Sequence, residues 1–433
     1  MKNSIFSIQM QKVESLMEKI MKKKLFMHFF TIITLILTFP SNVVSVVIDV
    51  DPVDVLRNYA TIAHAKYEDA VISARTLNRA IETLVSSPSQ KNLDNARLQW
   101  IKARIPYQQS EIYRFGSTIV NAWDKKINAW PIDEGVIDYV DSSYGKHNDE
   151  NELYAANIIA NTKISFDGKE IDTSIISPKL LRKLHLINGI DTNITTGYHV
   201  IEFLLWGQDL KTNVRVSGER PYTDFDIKKC TGGHCQRRIE YLKVVSKILV
   251  SDLEELMKAW EPDGEETLNL MKDTNLGLDT IITSMTSLSY NELAGERMNL
   301  GLILHDPKQE LDCFSDNTYA SYLNNVIGIL SSYTGEYTRI NGEEIHGASI
   351  HDLIKNKNKN LSAEIKNKFS HTMKDFYALA ERAEHLEFYD QMISANNPEG
   401  NKIVLNLIDD LITQTNSLKK LRIALDLKEI NEL

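Results

Sequence analysis

From Tyr198 to Trp206 the chain is apolar or aromatic at every position except His199 and Glu202. A helix that is apolar all round belongs in a core. Spacing of i, i+3 puts the imidazole and the carboxylate on one face. A buried, ionised carboxylate is costly unless it is paired or bound to a cation. The pair therefore needs a partner. One reading is a metal site completed by carboxylates from other helices. The other is a neutral histidine hydrogen-bonded to Glu202 or to an arginine.

Other acidic groups could complete such a site. In Tyr107-Gln108-Gln109-Ser110-Glu111-Ile112-Tyr113-Arg114, Glu111 is a candidate third ligand and Arg114 a cation to pair a carboxylate. Trp130-Pro131-Ile132-Asp133-Glu134-Gly135 supplies two more acids, of which Asp133 is the candidate ligand. Glu292, Glu296 and Arg297 precede an apolar helical segment, and Arg297 is a second candidate partner for the acids. Near Cys313, Ser315 or Asp316 is expected to cap a helix with Thr318 in its first turn. His346 and His351 are expected in a solvated loop. Cys230 and Cys235, with Thr-Gly-Gly-His between them, match no zinc spacing and are expected to form a disulfide; Cys313 is left as a buried thiol. A His-Glu-x-x-His helix, a phosphate-cradling glycine loop and a Gly-x-Ser-x-Gly elbow are all missing.

These residues need helices to hold them. Leu56, Ala60, Ala63, Tyr67, Ala70, Ala74, Leu77, Ile81 and Leu84 step by threes and fours, predicting one long helix over 54–85. A second helix from about Lys91 carries Leu93, Ala96, Trp100 and Ala103 inward and bends at Pro106. The segment 141–178 is expected to be an irregular insertion, and Gln236–Trp260 a strong amphipathic helix. Helical patterns follow at 265–302, 317–334, 361–388 and 402–426, with no convincing β-hairpin. The expected fold is all-α: two bundle-like helical domains, 51–260 and 265–433, divided at Glu261-Pro262-Asp263-Gly264, with a duplication hinted by the similar halves.

Residues 1–45 are set apart as an N-terminal extension and export signal: Met21-Lys22-Lys23-Lys24, an apolar run from Leu25 to Pro40, and a small-residue cleavage site at 43–45. An uncleaved anchor is the alternative, and the apolar run is followed by no lipid-attachment cysteine. With 49 basic and 59 acidic residues in 433 and a net charge of −10, there is no basic stripe, which argues against nucleic acid as the partner.

At its motifs the sequence resembles the imelysin family of bacterial envelope proteins. Gly197-Tyr198-His199-Val200-Ile201-Glu202 matches that family's Gly-x-His-x-x-Glu signature. The continuation through Trp206-Gly207-Gln208-Asp209, Trp130–Glu134, Gly295–Met298 and Cys313–Asn317 are similar as well, nearest to the iron-regulated protein A branch. The resemblance implies two helical domains with the signature at a site between them, and a periplasmic or outer-membrane-associated protein tied to iron acquisition. It carries over His199 and Glu202 as metal ligands directly, with Glu111 and Asp133 as less direct additions. The metal expected is iron, with zinc or manganese as alternatives. The partners expected are a metal or iron-bearing ligand and envelope iron-uptake components. The same family is classed with the M75-type peptidases. Two functions therefore stand: a protein binding a metal ion or metal-bearing ligand, and a metallopeptidase acting on envelope or extracellular proteins.

Overall fold

Capping chemistry decides where the long helices begin. The computed structural model describes residues 50–212 and 214–427, so the expected export signal lies outside the described residues. Asp51 accepts from the Val53 N–H and Pro52 stands at the first helical position, starting helix α1 (Pro52–Ser86). Ser89 caps α2 (Gln90–Ser110) in the same way. Alanines at 60, 63, 70 and 74 keep the inner face of α1 small, so α2 and α4 (Cys235–Ala259) both pack closely along it. Helix α2 runs on through Pro106 to Ser110 and tightens into a 3₁₀ turn at Glu111–Arg114.

Between these helices lies α3, Tyr198–Trp206, buried at all nine positions. Its backbone and side chains are tied to both neighbours. Trp100 donates through Nε1 to the Tyr198 carbonyl at 2.9 Å, and the Tyr198 hydroxyl to Ala103 O at 3.2 Å. The Tyr241 hydroxyl donates to Thr195 O at 3.0 Å. At the other end, Arg97 takes the Leu205 carbonyl with two N–H groups, at 3.0 and 2.9 Å, satisfying a carbonyl the helix itself leaves unpaired.

The second half holds α5 (Thr274–Thr286), α6 (Thr318–Thr334), α7 (Lys359–His385) and α8 (Pro398–Ala424). All-α architecture is confirmed, and every described residue belongs to one compact unit. Helix α6 packs against both α2 and α7. At 261–264 the chain leaves α4 and enters the short helix Glu265–Met271. No helix among the described residues is long and apolar enough to cross a membrane.

Several expectations are corrected. Among the described residues are two antiparallel hairpins: β1–β2 (Lys163–Phe166 with Lys169–Asp172) and β3–β4 (Glu336–Thr338 with Glu344–His346). Their strands are three or four residues long and mostly exposed, too short to show an alternating pattern. Only their turn residues, Asp167-Gly168 and Asn341-Gly342, were readable. The helix expected over 265–302 is interrupted at Lys272-Asp273, because the Asp273 side chain caps α5 through the Leu276 N–H. His351 lies on a helix, Ile350–Lys357, with its ring against Tyr333. Asn317 is the residue before α6, and neither Ser315 nor Asp316 caps it.

Cys230 and Cys235 are disulfide-bonded, Cα to Cα 5.9 Å, just where α4 begins. Beside them a buried ion cluster anchors the preceding loop: Arg238 pairs with Asp138, and Arg220 with Asp138 and Asp224.

The two halves meet where α6 presses on α2. A Cβ at Gly328 would lie 2.6 Å from the Gln109 carbonyl oxygen, and Gln109 donates to Asn324 at 2.8 Å beside it. Gly328→Ala is therefore expected to lose about 1–3 kcal/mol by forcing the helices apart. Denaturant unfolding would show this; an unchanged midpoint would mean the contact is looser than described.

Candidate metal centre

Helix α3 presents His199 and Glu202 to one another, with His199 Nδ1 3.0 Å from Glu202 Oε2 and both side chains 0% exposed. The other carboxylate oxygen of Glu202 accepts from the Ser315 backbone N–H at 3.0 Å and its hydroxyl at 2.7 Å. Ser315 thus serves the buried carboxylate rather than the helix end it was expected to cap.

The third member is Asp312, whose Oδ1 lies 3.9 Å from His199 Nδ1. Ligand atoms of His199, Glu202 and Asp312 all fall within 4.8 Å of each other. Asp312 is held from every side: Arg104 at 2.8 Å, Asn317 at 2.9 Å, the Ser321 hydroxyl, and its own N–H on Thr318. Sequence reasoning missed it. Asp312 sits in an irregular loop with no periodicity to mark it. Its only signal is adjacency to the Cys313–Asn317 motif.

Burial and charge set the protonation states. Burial, reinforced by Arg104, lowers the His199 pKa to about 3, so the imidazole is neutral. Burial and then the Asp312 charge push Glu202 well above the usual carboxylate range, against the Ser315 and Arg104 contacts. Burial would also raise Asp312, but Arg104 and the hydrogen bonds from Ser321 and Asn317 outweigh it and hold Asp312 down. The His199–Glu202 contact is thus a hydrogen bond to a neutral imidazole, with burial and the Asp312 charge biasing Glu202 towards its protonated form. His199 Nε2, the other ring nitrogen, is buried without a hydrogen-bond partner.

Glu111 belongs to the same buried network but not to the three-residue group. Arg297 clamps both of its oxygens, one at 3.2 Å and the other closer, and Asn325 donates at 2.8 Å. Burial would raise its pKa, yet Arg297 and Arg114 prevail and hold it at about 2. Gln108 links Glu111 to Arg104 when its amide nitrogen faces the one and its oxygen the other. Arg297 also pairs with Glu292 at 2.8 Å, and Arg114 with Glu292 and with Asp124. Glu292 and Arg297 are five apart within a π-helical stretch, Ser287–Asn299. The wider π turn aligns residues at that spacing, a local geometry enriched at functional sites.

Asp133 lies elsewhere. Its carboxylate accepts from Asn151 and Thr192, each at 2.6 Å, and fastens the 141–178 insertion to the loop before α3. The Cys313 thiol is partly buried, its pKa raised first by burial and then by Glu202.

Charge counting shows what the network lacks. With every acid ionised, Glu202, Asp312, Glu111, Glu292 and Asp124 face only Arg104, Arg297 and Arg114. Two negative charges are left over. Burial pushes both Glu202 and Asp124 towards their neutral forms, which offsets this excess; a divalent cation would compensate it with the carboxylates ionised.

The sequence model of the imelysin family matches residues 63–418. The chain belongs to the imelysin family. Among curated relatives, iron-regulated protein A of Synechococcus elongatus is 31% identical over 99 residues, which is 21% of this chain and 28% of that protein. The match therefore spans less than a third of the relative's length. Solved structures share the fold as well. A candidate iron-regulated protein A precursor from Parabacteroides distasonis has a TM-score of 0.61 at 17% identity, covering 86% of this chain and 96% of that one. An imelysin-like protein from Psychrobacter arcticum has a TM-score of 0.55 at 14% identity, covering 88% and 98%. In this imelysin, the signature helix and the Cys313–Asn317 segment converge on a single buried carboxylate, that of Glu202.

Glu111→Gln leaves Arg297 with Glu292 as its carboxylate partner and Asn325 as its amide partner, so a loss of about 3 kcal/mol is expected. The sign of the pH effect follows from the lowered pKa. The ordinary glutamate value is 4.5 and that of Glu111 about 2, so its contribution is complete above 4.5 and fades as pH falls towards 2. Acid unfolding between those limits should be shallower in the variant, and an identical acid profile would contradict the pairing.

Proposed function

We propose that this imelysin is an exported protein linked to iron acquisition, binding a metal ion or a metal-bearing ligand through His199, Glu202 and Asp312. The carrying observation is the sealed His199–Glu202–Asp312 group, whose network is two positive charges short when its acids are ionised. The donor set fits a cation: one imidazole and two carboxylates suit iron, zinc or manganese. Arg104, Ser315, Asn317 and Ser321 would fix the two carboxylates in place, as supporting groups do around bound metals. Iron is favoured because the curated relative and one structural neighbour carry the name iron-regulated protein A. Envelope iron-uptake components and an export signal remain part of the same reading.

Peptidase chemistry has less support. The side chains of His199, Glu202 and Asp312 are 0% exposed, so a polypeptide does not reach them in this conformation. The second histidine of the usual zinc-peptidase helix is also missing.

The test is elemental analysis of the purified protein, followed by calorimetric titration with ferrous iron and zinc. Wild type should take up metal, and His199→Ala should bind at least roughly tenfold more weakly. A peptide-cleavage assay runs alongside. Metal-dependent cleavage lost in Glu202→Ala would replace this reading with the peptidase, and no uptake by wild type would defeat both.

A further inference from the structure

The loop over residues 305–317 carries acids to two different places. Asp312 and Ser315 serve the His199 centre, whereas Asp316 joins another group, in which carboxylate oxygens of Asp209, Asp316 and Asp390 lie within 4.8 Å of each other. The three come from separate parts of the chain. Asp209 follows the Gly207 that ends α3, Asp316 sits in the loop at φ 53°, and Asp390 is in the short helix Tyr389–Ile393. Asp316 and Asp390 are 2% and 1% exposed.

A fourth acid points to a missing ligand. Glu310 is 1% exposed, and its Oε2 is buried with no hydrogen-bond partner; Asp390 Oδ1 is in the same position. The charges acting on Glu310 are those of Asp316, Asp390 and Asp209, all of its own sign. Those acting on Asp390 are Asp316 and Asp209. Arg215, which stacks on Phe388, is committed elsewhere, donating to the carbonyls of Ala383 and Glu384. The hydroxyls of Tyr322 and Tyr389 are likewise buried without partners, their rings edge to face at 5.3 Å. The His199 network tempers its acids with three arginines, whereas the principal charged neighbours of Glu310 and Asp390 are all acids.

We infer that Asp209, Asp316 and Asp390, with Glu310 beside them, form a second cation site, for a hard divalent ion of the calcium type. An all-oxygen donor set selects such ions over zinc or copper. Oxygens sharing one calcium lie up to about 5 Å apart, twice the metal–oxygen distance, which the spacing of Asp209, Asp316 and Asp390 meets. Bound there, the ion ties the end of α3, the loop and the Tyr389–Ile393 helix together. The same loop supplies Asp312 and Ser315, so the second site steadies the first without sharing a ligand with it. The inference stands whether or not the His199 centre holds metal.

Terbium is the probe, bound by the full chain and excited through tyrosine, with calcium as competitor. Wild type should give a calcium-competed signal and a higher melting temperature with calcium. Asp390→Asn and Asp209→Asn should each weaken calcium binding at least tenfold, while His199→Ala leaves it unchanged. Asparagine is isosteric and removes repulsion, so both variants should fold, and half-buried Asp209 gives the milder replacement. No calcium-competed signal in wild type would overturn the inference. So would a signal lost in His199→Ala but kept in Asp390→Asn.

Discussion

A carboxyl group sealed inside a helical core has to be neutralised, and Glu202 is such a group. It lies on α3, buried at every position, and the surrounding structure can be followed outward from it. Ser315 satisfies one of its oxygens and His199 the other. Asp312, beside them, demands Arg104, which leads through Gln108 to Glu111 and the arginines beyond. Burial makes each of these contacts strong and each omission costly. Without a cation, burial and the Asp312 charge bias Glu202 towards its protonated form. A cation in its place would leave the carboxylate ionised with the same neighbours.

Precision comes from helices fixed by unrelated means. Arg97 and Trp100 hold α3 by its backbone from α2, and the Tyr241 hydroxyl meets the segment just before it from α4. Gly197, at φ +98°, begins the helix where a Cβ would come within 2.5 Å of the Ile127 carbonyl oxygen, so the first residue of the signature is set by backbone approach. On the far side, the loop bearing Asp312 and Ser315 is held by the start of α6 through Thr318 and Ser321. Residues from both halves of the chain therefore meet at one carboxylate.

The long helices were legible because periodicity over several turns is a strong signal, as along Leu56 to Leu84. His199 and Glu202 were legible as the only polar groups on an apolar run, and Arg114 and Arg297 as cations near acids. The partner of each was not. Glu111 was expected at the metal, but it stands 3.2 Å or less from Arg297, a contact across 186 positions that spacing cannot express. Asp133 was expected there too and instead binds Asn151 and Thr192. Asp312 escaped notice because loop residues show no period, and the hairpins because their strands are short and exposed. Local pattern revealed which groups are buried; long-range packing decided whom they meet.

The central claim is that a proton on Glu202 holds the place of a cation. Calorimetry of metal binding in buffers of different ionisation heat counts the protons released per ion. At pH 7, wild type should release about one proton per bound ion, and Glu202→Gln none. Binding without proton release, or equal release from Glu202→Gln, would contradict the account.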